Sequence, residues 1–384
     1  MIVVASIALA VWLYLLLARG AFWRCDERDD REPAQPQMQL PQWPRVAVVV
    51  PARNEAEGIA ESIGSLLAQD YRGGLDVILV DDDSSDGTAD IACRLAHSGE
   101  RLRVVVSRGL PAGWTGKLWA LEQGIDAAIA FPQVPDYLLL TDADIVHAPD
   151  SVSRLVARAE TSGLALTSLM VKLRCESFAE RANIPAFIFF FQMLYPFAFV
   201  NRPRSKVAAA AGGCMLVRAD VLQKAGGIEV IRGALIDDCA LAKALKAHGP
   251  IWLGLTERVR SIRPYPALAD IRRMVVRSAY AQLRYSPLLL LGTAAGMVLT
   301  YLVPPLMAIF ASGGARILGL VAWLLMAVAF APTLRFYRRS PVWGIALPLI
   351  ALQYLLFTLE SAYQYMRGRG GSWKGRVQAN VSKP

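Results

Sequence analysis

The residues able to do chemistry in this sequence collect in three groups of carboxylates. "VDDDSSDGT" (80–88) closes one apolar run. "YLLLTDADIV" (137–146) places Asp142 and Asp144 directly after another, and "IDDCALAKAL" (236–245) opens on Asp237 and Asp238. Adjacent carboxylates repel one another unless donors or a cation hold them. In the first group Ser85 and Asp86 can cap a following helix and Gly87 permits a tight turn. Capping leaves Asp81 and Asp82 unexplained. In the second, side chains two residues apart on an extended chain point the same way. Asp142 and Asp144 then form a two-pronged hard-oxygen site suited to Mg²⁺ or Mn²⁺ carrying phosphates. In the third, an acidic first helical turn is favourable by itself and accounts for one carboxylate. The other is free to act as a general base.

The elements that must position these groups follow from the apolar pattern. Short apolar runs at 45–51, 75–81, 102–107 and 136–142 read as buried strands. Between them, 55–69, 86–98 and 117–130 carry apolar residues at helical spacing, as with Ile59, Ile63, Leu66 and Leu67. Apolar strands alternating with amphipathic helices predict an α/β fold with a mostly parallel sheet. Such sheets bind ligands beyond the carboxyl ends of their strands, where Asp81, Asp82, Asp142 and Asp144 stand.

Hydrophobic residues make up 54% of the 384-residue chain, too many for an ordinary soluble enzyme, so membrane segments are expected. Residues 1–20 read as a transmembrane anchor and 21–44 as a polar, proline-bearing linker. Residues 45–287 read as the catalytic domain, 288–366 as membrane helices and 367–384 as a basic tail. The apolar stretch 184–200 reads as an interfacial helix dipping toward lipid, with a buried core helix as the alternative. Pro304, Pro305 and Pro348 are expected to kink the membrane helices. The net charge of +9 sits largely beside the apolar segments (Arg19, Arg24, Arg335, Arg338, Arg339, Arg367, Arg369), which favours a bilayer surface over nucleic acid. The basic residues after the first segment place the catalytic domain in the cytoplasm, at the inner membrane. Five scattered cysteines without a CxxC pair exclude a disulfide framework and a zinc site. His97, His147 and His248 read as surface or loop residues. "GWTGKL" lacks the first glycine and the Ser/Thr of a P-loop, no G-x-G-x-x-G follows the first strand, and no nucleophile elbow is present.

"VVVPARNEAEGI", "VDDDSSDGT", "TDADIV", "GGCMLVRADVLQKAGG" and "IDDCALA", in that order, resemble the family 2 glycosyltransferases of GT-A fold over roughly residues 45–290. "GWTGKLWALEQG" (113–124), the trailing apolar segments and "SWKGR" (372–376) look like the membrane branch that holds hopene-associated and ceramide- or carotenoid-type lipid glycosyltransferases. The hopene-associated type is nearest in overall texture. The resemblance implies a nucleotide-sugar donor (UDP- or GDP-linked), a membrane lipid acceptor of hopanoid or other polyprenoid type, and a divalent metal. It implies that Pro51, Asn54, Glu55, Asp81, Asp82, Lys117 and Asp142 bind the donor. Asp144, with Asp142, would hold the metal, and Asp238 would deprotonate the acceptor. Gly212, Gly213, Asp237, Gln282, Arg284 and Tyr285 would meet the acceptor or diphosphate. Asp237 stands where the family usually has Glu. "AQLRYS" (281–286) departs from the Q-x-x-R-W pattern of processive members, which argues against polymerisation. Transfer to a polyprenyl phosphate, and an inactive membrane scaffold, are the competing readings.

Overall fold

A computed structural model describes residues 1–30, 40–97, 101–369, 372–373 and 376–377. The chain forms two compact units: a sheet unit of Glu27–Leu173, Phe199–Arg263 and Trp373–Pro384, and a helical unit of Met1–Asp26, Arg174–Ala198 and Pro264–Ser372.

The sheet unit is built on β1 (Val46–Ala52), β2 (Leu75–Asp81), β3 (Leu102–Val106), β4 (Tyr137–Leu140), β5 (Ile145–His147), β6 (Leu166–Lys172), β7 (Met215–Arg218) and β8 (Ile251–Ser261). Their spatial order is β3-β2-β1-β4-β7-β6-β8-β5. All seven β1 residues are buried, as expected for a strand covered on both faces. β1 pairs in parallel with β2 and with β4. The chain leaves β1 to one side for β2 and β3 and returns on the other as β4. The crevice beside β1 is therefore the topological switch point where such sheets bind ligands. β7 enters antiparallel between β4 and β6, so the sheet is mostly, not wholly, parallel. The Gly116–Ile129 helix lies close on this sheet: a Cβ on Gly124 would come within 2.3 Å of the Val49 side chain.

The fourth apolar run is shorter than its pattern suggests. β4 ends at Leu140, and 142–144 form a turn in which the Ile145 N–H donates to the Asp142 carbonyl at 3.3 Å. The described part of 21–44 is folded and not a free linker. Phe22 is buried in the helical unit, and the backbone of Glu27 and Asp29 exchanges hydrogen bonds with Leu255 of β8. The tail from 367 and its "SWKGR" stretch fall mostly outside the described residues.

Among the described residues four helices are long and apolar enough to cross a membrane: Phe178–Val200, Pro287–Phe310, Gly313–Phe336 and Pro341–Met366. Ile2–Leu17 is apolar but has sixteen residues, about 24 Å of helix against ~30 Å of hydrocarbon. Phe178–Val200 starts six residues before the run read from sequence. Glu180 fixes that start: it is fully buried and accepts from the backbone N–H groups of Glu176, Ser177 and Tyr265 at 2.7–2.8 Å. Its inner face packs Phe189 on Phe330 and Phe190 on Tyr354. Pro304 and Pro305 follow a π-turn at Val298–Leu302. Without an N–H on Pro304 the Thr300 carbonyl loses its usual helical donor, and the Trp12 indole supplies one at 2.8 Å. Pro348 does not kink its helix; it occupies the first turn, where proline is tolerated.

Candidate active site

At the ends of β1 and β2 the turns are tied to one another by side-chain hydrogen bonds. Pro51 is buried at the end of β1, opposite Val80. Asn54 adopts a left-handed backbone conformation (φ 50°), its N–H donates to Ser84 Oγ at 3.0 Å, and its side-chain carbonyl accepts from the Ser85 N–H at 2.9 Å. Asp86 accepts from the Ala56 and Thr88 N–H groups, both at 3.0 Å, so it serves the turn as expected. Asp81 and Asp82 are both buried. Asp82 lies 3.7 Å from the Arg53 guanidinium. Asp81 Oδ2 accepts from the Ser84 N–H at 3.2 Å, while its Oδ1 is buried and has no hydrogen-bond partner among the described residues. A buried carboxylate oxygen left unmatched is costly, and a ligand N–H would satisfy it.

The second cluster is centred on Lys117, in the first turn of the Gly116–Ile129 helix that Thr115 caps. Its ammonium lies 3.0 Å from Asp142 and 3.1 Å from Asp237. Burial alone would lower the pKa of this amine; the two carboxylates outweigh it and hold Lys117 well above its ordinary value. Burial raises Asp142 above the usual carboxylate range, against the pull of Lys117. Asp238 follows on the Asp237–Lys246 helix. Its Oδ2 accepts from the Gly212 N–H at 3.0 Å and its Oδ1 from the Cys239 N–H at 2.7 Å. Burial first, then the charge of Asp237, push Asp238 up to about 6. A Cβ on Gly212 would stand 3.2 Å from the Lys117 ammonium, close enough that the ammonium would have to shift by a few tenths of an ångström. Gly213 is a packing residue, whose Cβ would meet the Val171 side chain at 2.7 Å.

Asp142 and Asp144 do not project side by side from a strand. Because the backbone turns between them, Asp142 joins Lys117 while Asp144 accepts from Ser261 Oγ at 2.7 Å and from Arg263 Nε at 3.2 Å. Arg263 also pairs with Glu55. Among the described residues no group of three His, Cys, Asp or Glu could hold a metal. The donor set therefore fits Mg²⁺ or Mn²⁺ only in the form these ions commonly take, one or two carboxylates completed by phosphate oxygens of the substrate.

Three participants were not apparent in the sequence. Ser261 and Arg263 reach Asp144 only because β8 pairs with β5. His147 is buried, contrary to its surface reading. Thr141 Oγ1 donates to the Gly213 carbonyl at 2.7 Å and lies 3.0 Å from His147 Nε2. With the threonine proton committed to Gly213, the imidazole is the donor in that second bond. Burial pushes His147 down to about 4, so it is neutral. Gln282, Arg284 and Tyr285 belong to the helical unit, and their described contacts are there: Gln282 donates to the Tyr195 hydroxyl, and the Tyr285 ring stacks on Tyr365 at 4.3 Å.

The sheet order and the carboxylates at its switch point define a GT-A-type α/β enzyme. The family described as Glycosyl transferase family 2 matches residues 47–226, and Glycosyl transferase family group 2 matches 137–357. The chain belongs to the family 2 glycosyltransferases. A mannosyltransferase from Pyrobaculum calidifontis, solved in complex with GDP-Man and Mn²⁺, has the same fold, with a TM-score of 0.51 at 20% identity over 94% of this chain and 98% of that one. An undecaprenyl-phosphate mannosyltransferase from Micrococcus luteus is 31% identical over 33% of this chain and 49% of its own length. A 4,4'-diaponeurosporenoate glycosyltransferase from Staphylococcus haemolyticus is 28% identical over 39% of this chain and 36% of its own. The chain thus spans about a third to a half of the length of the curated relatives it matches.

Proposed function

We propose that the protein transfers a single sugar from a nucleotide sugar to a membrane lipid, with inversion at the anomeric carbon. The observation that carries this reading is the Lys117 cluster, a buried ammonium between Asp142 and Asp237 with Asp238 alongside. In this reading the unmatched Asp81 oxygen accepts an N–H of the nucleobase, and Pro51, Asn54, Glu55 and Asp82 shape the surrounding site. Lys117 and the N-terminus of its helix meet the diphosphate, where negative charge grows as the sugar leaves. Asp142 and Asp144 would hold the divalent metal, which when bound neutralises diphosphate charge. Asp238 takes the acceptor proton as the new C1–O bond forms and the bond to the nucleoside diphosphate breaks. The backbone N–H groups of Gly212 and Cys239 fix its orientation for that transfer. A base of this kind suits a hydroxyl acceptor, such as a hopanoid or other polyprenoid alcohol.

The second reading is a polyprenyl phosphate acceptor, favoured by relatives named for undecaprenyl-phosphate, among them the transferase of 4-deoxy-4-formamido-L-arabinose from Yersinia enterocolitica. A phosphate oxygen is already ionised at neutral pH and needs little help from a base. One experiment separates the two. Membranes bearing the wild type or Asp238→Asn are given labelled UDP- and GDP-sugars, and lipid products are followed by mass spectrometry. For a hydroxyl acceptor kcat falls by about 10²–10⁴, the usual weight of a general base. A change of only a few fold, with label in polyprenyl phosphate, selects the second reading. No glycolipid from any donor would overturn both.

A further inference from the structure

The helical unit contains a feature that sugar transfer does not account for. A cavity of about 990 Å³ opens between the Pro287–Phe310, Gly313–Phe336 and Pro341–Met366 helices. Its volume is at the upper end of the ~300–1,000 Å³ common for ligand sites, but its lining is almost wholly apolar, including Leu302, Pro305, Ile309, Trp323, Trp343 and Leu349. Most ligand pockets place a few polar groups to orient their occupant. Trp323 offers none, because its indole N–H is already committed to the Ile345 carbonyl at 3.1 Å. The shape is also fixed: Gly344 packs so closely that a Cβ would come within 2.7 Å of the Ala327 carbonyl. A hydrocarbon chain is the occupant that such walls accept.

One end differs. Ser340 lines the cavity, and Arg338 and Arg339 immediately precede it, with Arg335 one helical turn earlier. Among the described residues no carboxylate forms an ion pair with any of these three arginines. Unpaired basic residues at the end of a membrane helix attract anionic headgroups. We infer that this cavity is a binding site for an anionic phospholipid, one acyl chain lying in the apolar groove and the phosphate meeting Arg335, Arg338 and Arg339.

The test uses the full chain in detergent, with equal amounts of phosphatidylglycerol and phosphatidylcholine of matched chains as probes and native mass spectrometry as the readout. The wild type should retain phosphatidylglycerol over phosphatidylcholine by about tenfold, a modest share of what three basic residues near a headgroup can supply. The triple substitution Arg335→Gln, Arg338→Gln and Arg339→Gln should bring the ratio to near parity. Ala346→Leu should fill the groove and reduce retention of both lipids, and Leu349→Trp, at an exposed position, serves if the first variant does not fold. Equal retention of the two lipids by the wild type, an unchanged ratio in the triple variant, or undiminished retention in a folded groove-filled variant would each overturn the proposal.

Discussion

Lys117 sets the charge balance of the sheet unit's site, because its one positive charge is shared by Asp142 and Asp237, while Asp238 beside them has no ion pair among the described residues. Asp238 is therefore the carboxylate whose proton affinity rises most usefully, to about 6. For a base the sign is simple: it works deprotonated, so activity on a hydroxyl acceptor should fall as pH drops through about 6 and be flat above. A pH profile of kcat/KM on membranes checks this. Asp237 is one of the charges that raises Asp238. Asp237→Asn should therefore move the acid limb to lower pH, and a limb that stays in place would assign the rise to burial alone. Much of this cluster was legible in the sequence, since carboxylates massed at strand ends have few structural uses. Arg263 and Ser261 were not, because they meet Asp144 across more than a hundred residues and no local pattern marks such a contact.

At the scale of elements, the informative departure is the end of β4. The apolar run predicted a strand through Asp142, but Thr141 is buried and gives its hydroxyl proton to the Gly213 carbonyl while accepting from His147. Those bonds join the turn after β4 to β5 and to the loop entering β7, whose Gly212 N–H orients Asp238. Periodicity cannot show this, because the antiparallel insertion of β7 beside β4 is a long-range pairing. Thr141→Val keeps the shape and removes the oxygen, leaving a carbonyl and an imidazole N–H without partners. At about 1–3 kcal/mol for each buried group left unmatched, the two groups together should cost the variant about 2–6 kcal/mol in denaturant unfolding. Thr141→Ser should recover most of it. The same loss in the serine variant would show that methyl packing, not the hydrogen bonds, holds the turn.

At the scale of the whole molecule, hydropathy located the apolar helices well, because a run without charges needs no tertiary context to be recognised. It could not say which of them cross. The segments flanking Phe178–Val200 belong to one sheet unit, and a single crossing there would divide a folded unit between the two sides of a bilayer. That constraint favours entry and return on one face, close to the interfacial reading. Three candidate spans then follow, with Arg335 in the last turn of the second and Arg338 and Arg339 between the second and third. If the sheet unit faces the cytoplasm, the second of these spans returns the chain to the cytoplasm just where those arginines stand, in keeping with the positive-inside tendency. Cys93 allows a direct test, being exposed on the Thr88–His97 helix while Cys25 and Cys214 are buried. With the half-buried Cys175 and Cys239 replaced by alanine, a membrane-impermeant maleimide should label the protein in inside-out vesicles and spare it in intact spheroplasts, and Cys93→Ser should remove the signal. Labelling of Cys93 in intact spheroplasts would put the sheet unit outside, away from the nucleotide sugars of the cytoplasm, and would overturn the orientation together with the donor supply that the proposed reaction requires.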